Sequence, residues 1–164
     1  MNDTNQRTQT PMDLLVFDLG GARFGLDLTS VREVVRAVFI TPLPDAPAVI
    51  EGIIDVRGEI VPVYDLRRRF GLPARAQNVD DHLVIAWGER VVSLRCERAQ
   101  WFANIDAGQV TTGGVVARGG DRIVGVARLE DGLVLIQDLN AFLDDAERAE
   151  LEDALAGRED RDAD

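Results

Sequence analysis

The chain has 164 residues, an apolar fraction of 46% and a formal charge of −11 at neutral pH. That is apolar material enough for one packed domain, or for two small subdomains sharing a core. The acidic balance argues against a nucleic-acid binder, which normally shows a basic face, and against a surface attracted to anionic lipid. Residues 144–164 carry ten acids against three arginines, so they contribute −7 and the remainder −4. Every base is Arg, and the single Cys96 cannot form an internal disulfide, which fits a reducing compartment. No apolar run reaches bilayer-spanning length, and MNDTNQRTQTPMD lacks the apolar core of a secretory signal. The expectation is a soluble, cytoplasmic protein without direct membrane insertion.

In chain order, residues 1–12 are polar and expected to be disordered. LLVFDL (14–19) and RFGLDL (23–28) flank Gly20-Gly21 and read as a hairpin. SVREVV, with Thr29 or Ser30 as cap and Glu33 closing a capping box, predicts a short helix. VRAVFI (35–40) is β-branched and predicts a strand, while TPLPDAP (41–47) holds three prolines and excludes helix and central strand. VIEGIIDV (49–56) and EIVPVYDL (59–66) form a second hairpin about Arg57-Gly58, with Gly58 at positive φ and Pro62 marking an edge or bulge. Asp65 opens a helical turn, DLRRRFG, and residues 74–80 are a polar connector. HLVIAWGERVVSLRC (82–96) is a third hairpin, AQWFANI a strand, and GGVVARGGDRIVGVARL offers strands around Gly119-Gly120. Asp144 caps the closing helix, on which Ala146, Leu151, Ala154 and Leu155 make a weak apolar stripe.

The chain repeats itself. GIIDVRGEIVPVYDLRRRF (52–70) aligns without a gap to GVARLEDGLVLIQDLNAFL (125–143) at a period of 73, pairing Gly52 with Gly125, Val61 with Val134 and Asp65 with Asp138. LLVFDLGGARFGLDL is echoed by HLVIAWGERVVSLRC. Two related halves of short strands and glycine turns predict a pair of small barrels, with a groove at the seam. Only the first copy keeps Arg57-Gly58; the second has Glu130-Asp131. Since both turns meet similar folding demands, Arg57 points to docking, and a guanidinium on a rigid turn suits a carboxylate, internal or on a partner.

Catalytic groups are scarce. His82 is the only histidine and stands beside Asp80-Asp81; Ser30 and Ser93 lie in no nucleophile setting; Cys96 reads as a strand residue. No His/Cys cluster suits zinc, no acidic run has a calcium-loop spacing, and a lysine phosphate loop is impossible without Lys. Asp65 and Asp138 read as duplicated caps, the paired glycines as turns, and Arg67-Arg68-Arg69 as a solvated face or a contact for an acidic partner. Trp87 or Trp101, if exposed near the seam, is a contact anchor. No catalytic residue, metal or cofactor is expected.

VIEGIIDVRGEIVPVYDLRRRFGLP resembles the signature of the CheW-like domains of bacterial chemotaxis, whose Arg-Gly, Pro and Asp-Leu-Arg it shares in order. LLVFDLGGARFGLDLTSVREVVR and RIVGVARLEDGLVLIQDLNAFL support the likeness, which spans about residues 13–156. The resemblance implies an all-β fold of two pseudo-symmetric, five-stranded, SH3-like barrels around a shared core, with short helices and a C-terminal helix. It divides the chain into a disordered segment 1–12, a CheW-like domain 13–156 and a disordered acidic tail 157–164. Within the domain it gives approximate halves 13–78 and 79–143, strand exchange between them allowed, then a helix 144–156. It implies a non-catalytic adaptor at receptor arrays, coupling the cytoplasmic tip of methyl-accepting chemoreceptors to the regulatory domain of a CheA-type histidine kinase. The partner-binding residues carried over are Val31, Glu33, Gly52, Arg57, Gly58 and Ile60, with Glu33 and Arg57 approaching each other. The chain departs from the family at Leu94-Arg95-Cys96-Glu97-Arg98, where Arg95 and Cys96 replace apolar residues. The alternatives are a CheW-like scaffold of another two-component, motility or development pathway; an enzyme or ligand-binding barrel with a pocket lined by His82, Cys96 or the acids; and, against the charge, an OB-like nucleic-acid binder.

Overall fold

The computed structural model describes residues 12–111 and 123–162. Hairpins dominate, as the alternating apolar pattern predicts. β1 (Met12–Leu19) and β2 (Ala22–Asp27) form the first, followed by β3 (Val31–Arg36). β4 (Ile50–Val56) and β5 (Glu59–Tyr64) form the second, closed by the single-turn α1 (Leu66–Arg69). β6 (His82–Trp87) and β7 (Val91–Cys96) form the third. β8 (Arg98–Ile105), β9 (Val110–Thr111), β10 (Ile123–Leu129) and β11 (Gly132–Gln137) follow, and α2 (Asp145–Asp162) ends the described chain.

The strands make two sheets. One runs β8-β1-β2-β11-β10-β9, the other β3-β6-β7-β5-β4. The mainly β architecture of two subdomains stands, with one sheet six-stranded instead of five and neither ladder closed among the described residues. The strand exchange is complete. Hairpin β1–β2 joins its sheet through a parallel ladder to β11, with Ile136 opposite Gly25, and hairpin β6–β7 joins β5 in the same way, with Val63 opposite Ser93. The copies are therefore crossed, and the sheets do not follow a division at residues 78 and 79. The 73-residue period holds to the pair: Gly52 faces Val63 and Gly125 faces Ile136, each just after a bulge.

Three apolar clusters follow from strand alternation. Leu14, Val16, Ala127, Val134 and Ile136 pack together on strands of the six-stranded sheet. Ile54, Val61, Val63, Leu83 and Ile85 do so on strands of the other. The largest cluster, including Phe17, Phe24, Tyr64, Leu94 and Phe142, lies between the sheets and is the shared core.

Several local expectations change. SVREVV is not a helix: Asp27 caps a 3-10 turn over Leu28–Ser30, and Val31 begins β3. The β-branched residues gain more from pairing with β6 than from one helical turn, and the Glu33 carboxylate goes to Arg57 instead of back to Ser30. β3 stops at Arg36, two residues into VRAVFI. Pro62 lies in an inner strand, at a point where the ladder to β7 has not yet begun; that ladder starts at Val63. The tail expected to be disordered from 157 is helical to Asp162, because nothing in GREDRD stops a helix already nucleated and Gly157 costs only about 1 kcal/mol. Asp65, Asp138 and Asp144 cap as expected, the last in a reciprocal box with Glu147. The expected strands around Gly119-Gly120 lie outside the described residues apart from β10, as does the N-terminal segment before Met12.

Candidate functional site: the Arg-Gly corner

The β4–β5 turn is tight. Arg57 has φ 52° and Gly58 φ 87°, both left-handed, as a two-residue turn of this hand requires. Gly58 N–H donates to Asp55 Oδ1 at 2.7 Å. Glycine takes this conformation freely, whereas arginine bears about 1–2 kcal/mol of strain there. In the second copy, Glu130 and Asp131 avoid the left-handed region and Gly132 takes φ 138°. The sequence thus keeps a strained, half-exposed arginine in one copy only.

The corner is built where the ends of a sheet meet. β3 and β4 are the two outer strands of their ladder. The chain beyond β3 returns to β4, where Thr41 and Ile53 exchange N–H···O bonds of 2.9 and 2.8 Å. Side chains then draw the ends together. Arg57 Nη2 donates to Glu33 Oε2 at 2.5 Å, and Arg32 Nη1 to Glu59 Oε2 at 2.7 Å. Arg32 Nε lies 3.7 Å from Glu33, and its guanidinium sits 5.5 Å from the centre of the Trp87 ring. The hydrogen bond from Arg57 holds the Glu33 carboxyl below its ordinary range, and the same bond raises Arg57. Glu33 Oε1 turns inward, without a hydrogen-bond partner. Solvent screens these pairs and they add little to stability, so the cluster shapes the corner more than it stabilises the fold.

Glu33, Arg57 and Gly58 meet at this corner, as expected, and Val31 and Ile60 flank it, half-buried on the shared core. Gly52 is buried beneath it: a Cβ there would stand 2.2 Å from Thr41 O. It supports the surface and does not present one. Sequence reasoning missed Arg32 and Glu59, and named Trp87 only as one of two candidate contact anchors. The first two sit beside Glu33 and Gly58 in the sequence, but reading SVREVV as a helix turned Arg32 away. Trp87 and Trp101 are both exposed, at 53% and 65%, so neither is core.

The other candidates are internal. Arg67 is buried on Glu97 at 2.5 Å, and Arg69 pairs with Glu147 at 2.5 Å over the Phe142 ring, so the Arg67-Arg68-Arg69 run is not one solvated face. Arg95 grips Glu51 with Nε at 3.1 Å and Nη2 at 2.6 Å, and reaches Asp81 at 3.2 Å. Arg75 joins Asp81 and Glu97. The departure at Arg95 is thus matched by acids inside the molecule. Cys96 is buried; burial, and then the charge of Asp81, push its thiol up to about 12, so no thiolate is available at neutral pH. His82 faces Cys96 across the β6–β7 ladder, and its Nδ1 has no hydrogen-bond partner. Among the described residues no group of His, Cys, Asp and Glu could hold a metal, and no helix is long and apolar enough to cross a membrane. A cleft of about 240 Å³ between Tyr64, Arg90, Leu139 and α2 is bridged by Arg148–Glu89 and Arg90–Glu152 ion pairs.

The chain matches the model of the CheW-like domain over residues 13–147. It is 25% identical to chemotaxis protein CheW of Rhizobium meliloti over 150 residues, covering 90% of this chain and 97% of that protein. It is 39% identical to CheW of Treponema pallidum over a shorter stretch, 43% of this chain and 42% of that protein, and 43% identical to protein FrzA of Myxococcus xanthus over 34% of this chain and 35% of that one. The crystal structure of the scaffolding protein TtCheW from Thermoanaerobacter tengcongensis superposes with a TM-score of 0.76 at 31% identity, covering 84% of this chain and 96% of that one. Crossed hairpins around a shared core, an Arg-Gly corner in one copy, and a likeness that runs the length of the two sheets have one reading: the chain belongs to the CheW-like domain family of chemotaxis scaffolds.

Proposed function

We propose that the protein is a non-catalytic cytoplasmic adaptor that couples the cytoplasmic tip of methyl-accepting chemoreceptors to the regulatory domain of a CheA-type histidine kinase. The corner made by Val31, Glu33, Arg57, Gly58 and Ile60 faces the partner, with Gly52 beneath as support. The observation that carries this reading is the strained Arg57, exposed at 67% of its side chain and paired with the partly exposed Glu33, a contact worth little to stability. A side chain held so, and dispensed with in the second copy, fits recognition better than folding.

The test is direct binding. Folded wild-type protein retains a CheA-type regulatory domain and a chemoreceptor tip at affinities on the order of tens of micromolar or tighter. Arg57→Ala keeps the circular dichroism of the parent and binds more weakly. A folded wild-type chain that captures neither partner overturns the reading, and an Arg57→Ala variant that unfolds moves Arg57 from docking to structure. A second reading, a scaffold of a different two-component or motility pathway, draws support from the likeness to FrzA. Co-purification from the native host separates the two by which kinase comes with the chain.

A further inference from the structure

Among the described residues, the most exposed large apolar side chains are Phe39, Val79, Trp101, Leu133 and Trp87. Phe39 and Val79 sit in the loops after β3 and before β6, and Trp101 lies on β8, an outer strand of the other sheet. Trp87 differs from these because it is joined to the corner. Arg32 lies over its ring, bonds to Glu59, and neighbours the Glu33 that holds Arg57. Trp87, Arg32, Glu59, Glu33 and Arg57 therefore form one continuous surface at the mouth of one sheet.

We propose that Trp87, steadied by Arg32, is the apolar anchor of this docking face, and that the partner lays an aliphatic or aromatic side chain on the indole while offering a carboxylate to Arg57. The inference rests on the functional reading above and adds to it the residue that contributes most to the contact. Tryptophan and arginine are the residue types that dominate binding energy at interfaces. The 53% exposure of Trp87 leaves apolar ring surface to be covered. The guanidinium over one part of the ring holds it in place before docking, so little side-chain freedom is lost when a partner arrives. The partner's charge follows from Arg57: a guanidinium has five N–H donors in a fork, and the bond to Glu33 uses one nitrogen, Nη2.

The probe is a soluble fragment carrying the helical-hairpin tip of a chemoreceptor encoded by the same genome. Trp101→Phe leaves Trp87 as the sole indole, since the chain has two tryptophans. On titration with the fragment, the emission of Trp87 shifts and saturates. Trp87→Ala weakens binding by at least about tenfold, whereas Trp101→Ala changes it by less than about twofold. The emission readout stands on its own should Trp87→Ala fail to fold. Binding to the wild type with Trp87 emission unmoved, or with Trp101 carrying the loss instead, overturns this inference and leaves the functional reading in place. No binding by folded wild type overturns the functional reading and this inference with it.

Discussion

Gly52, and the Arg57-Gly58 turn that begins five positions later, show how differently residues of one motif are used. Gly52 is needed for closeness: a Cβ would meet Thr41 O at 2.2 Å and Ile40 Cγ2 at 2.9 Å, where the chain after β3 is bonded to β4. Gly58 is needed for its hand alone, with open space where a Cβ would stand. Gly52→Ala therefore must push apart two backbone segments and is expected to cost about 2–3 kcal/mol, against about 1–2 kcal/mol for Gly58→Ala. Urea denaturation of both variants checks the order; equal or reversed losses would mean the Thr41 bridge yields easily. Arg57 stood out in the sequence because its counterpart lacks it. Its left-handed φ did not, since sequence placed that conformation on Gly58 only.

At the scale of elements, the segments that connect strands carry most of what sequence reasoning could not place. α1 is a single turn, so its three arginines fan out: Arg67 goes to Glu97, Arg69 to Glu147, and Arg68 alone is exposed. Consecutive helical residues point about 100° apart, so three neighbouring arginines do not share a face, and the solvated face expected of them does not form. β7 brings Arg95 to Glu51 on β4 and to Asp81 ahead of β6, and the Asp81 side chain is only 2% exposed. Arg95→Ala leaves a buried carboxylate with its main partner gone and is expected to destabilise by about 3–5 kcal/mol. Arg148→Ala, at the partly exposed pairs with Glu89 and Asp145, is expected to cost less than about 1 kcal/mol. Thermal unfolding of the two variants side by side measures the contrast, and similar melting temperatures would show that the inner cluster is solvated.

Among the described residues, four carboxylates are held below their ordinary values, in both sheets and at the start of α2. Glu33 is lowered by the Arg57 hydrogen bond and Asp131 by that from Arg23, Glu97 first by the Gly20 N–H, and Asp144 first by the Glu147 N–H. A group whose folded pKa is depressed adds stability that is fully present above its unfolded value, here near 4.5 for Glu and 3.8 for Asp. That contribution is lost as pH falls through the lower, folded value. The urea midpoint is therefore expected to change little from pH 7 to about 5 and to fall below about 4.5. A midpoint that rises steadily to pH 3 would mean that relief of the −11 charge outweighs these local bonds.

The repeat, the strand periods and the caps were readable from residues alone, because alternation, turn hand and capping depend on neighbours a few positions apart. They determined two related sets of hairpins, the positions of Asp65, Asp138 and Asp144, and an arginine turn singled out from its copy. What they left open was which hairpin pairs with which. Both copies offer the same ladder edge, so the local pattern is equally satisfied by parallel pairing within a half or across the halves. Only the packed molecule decides, joining β2 to β11 and β7 to β5. The same closure brings β3 to the Arg57 turn and places Arg32 over Trp87, contacts between residues 24 and 55 positions apart that no short-range rule reaches.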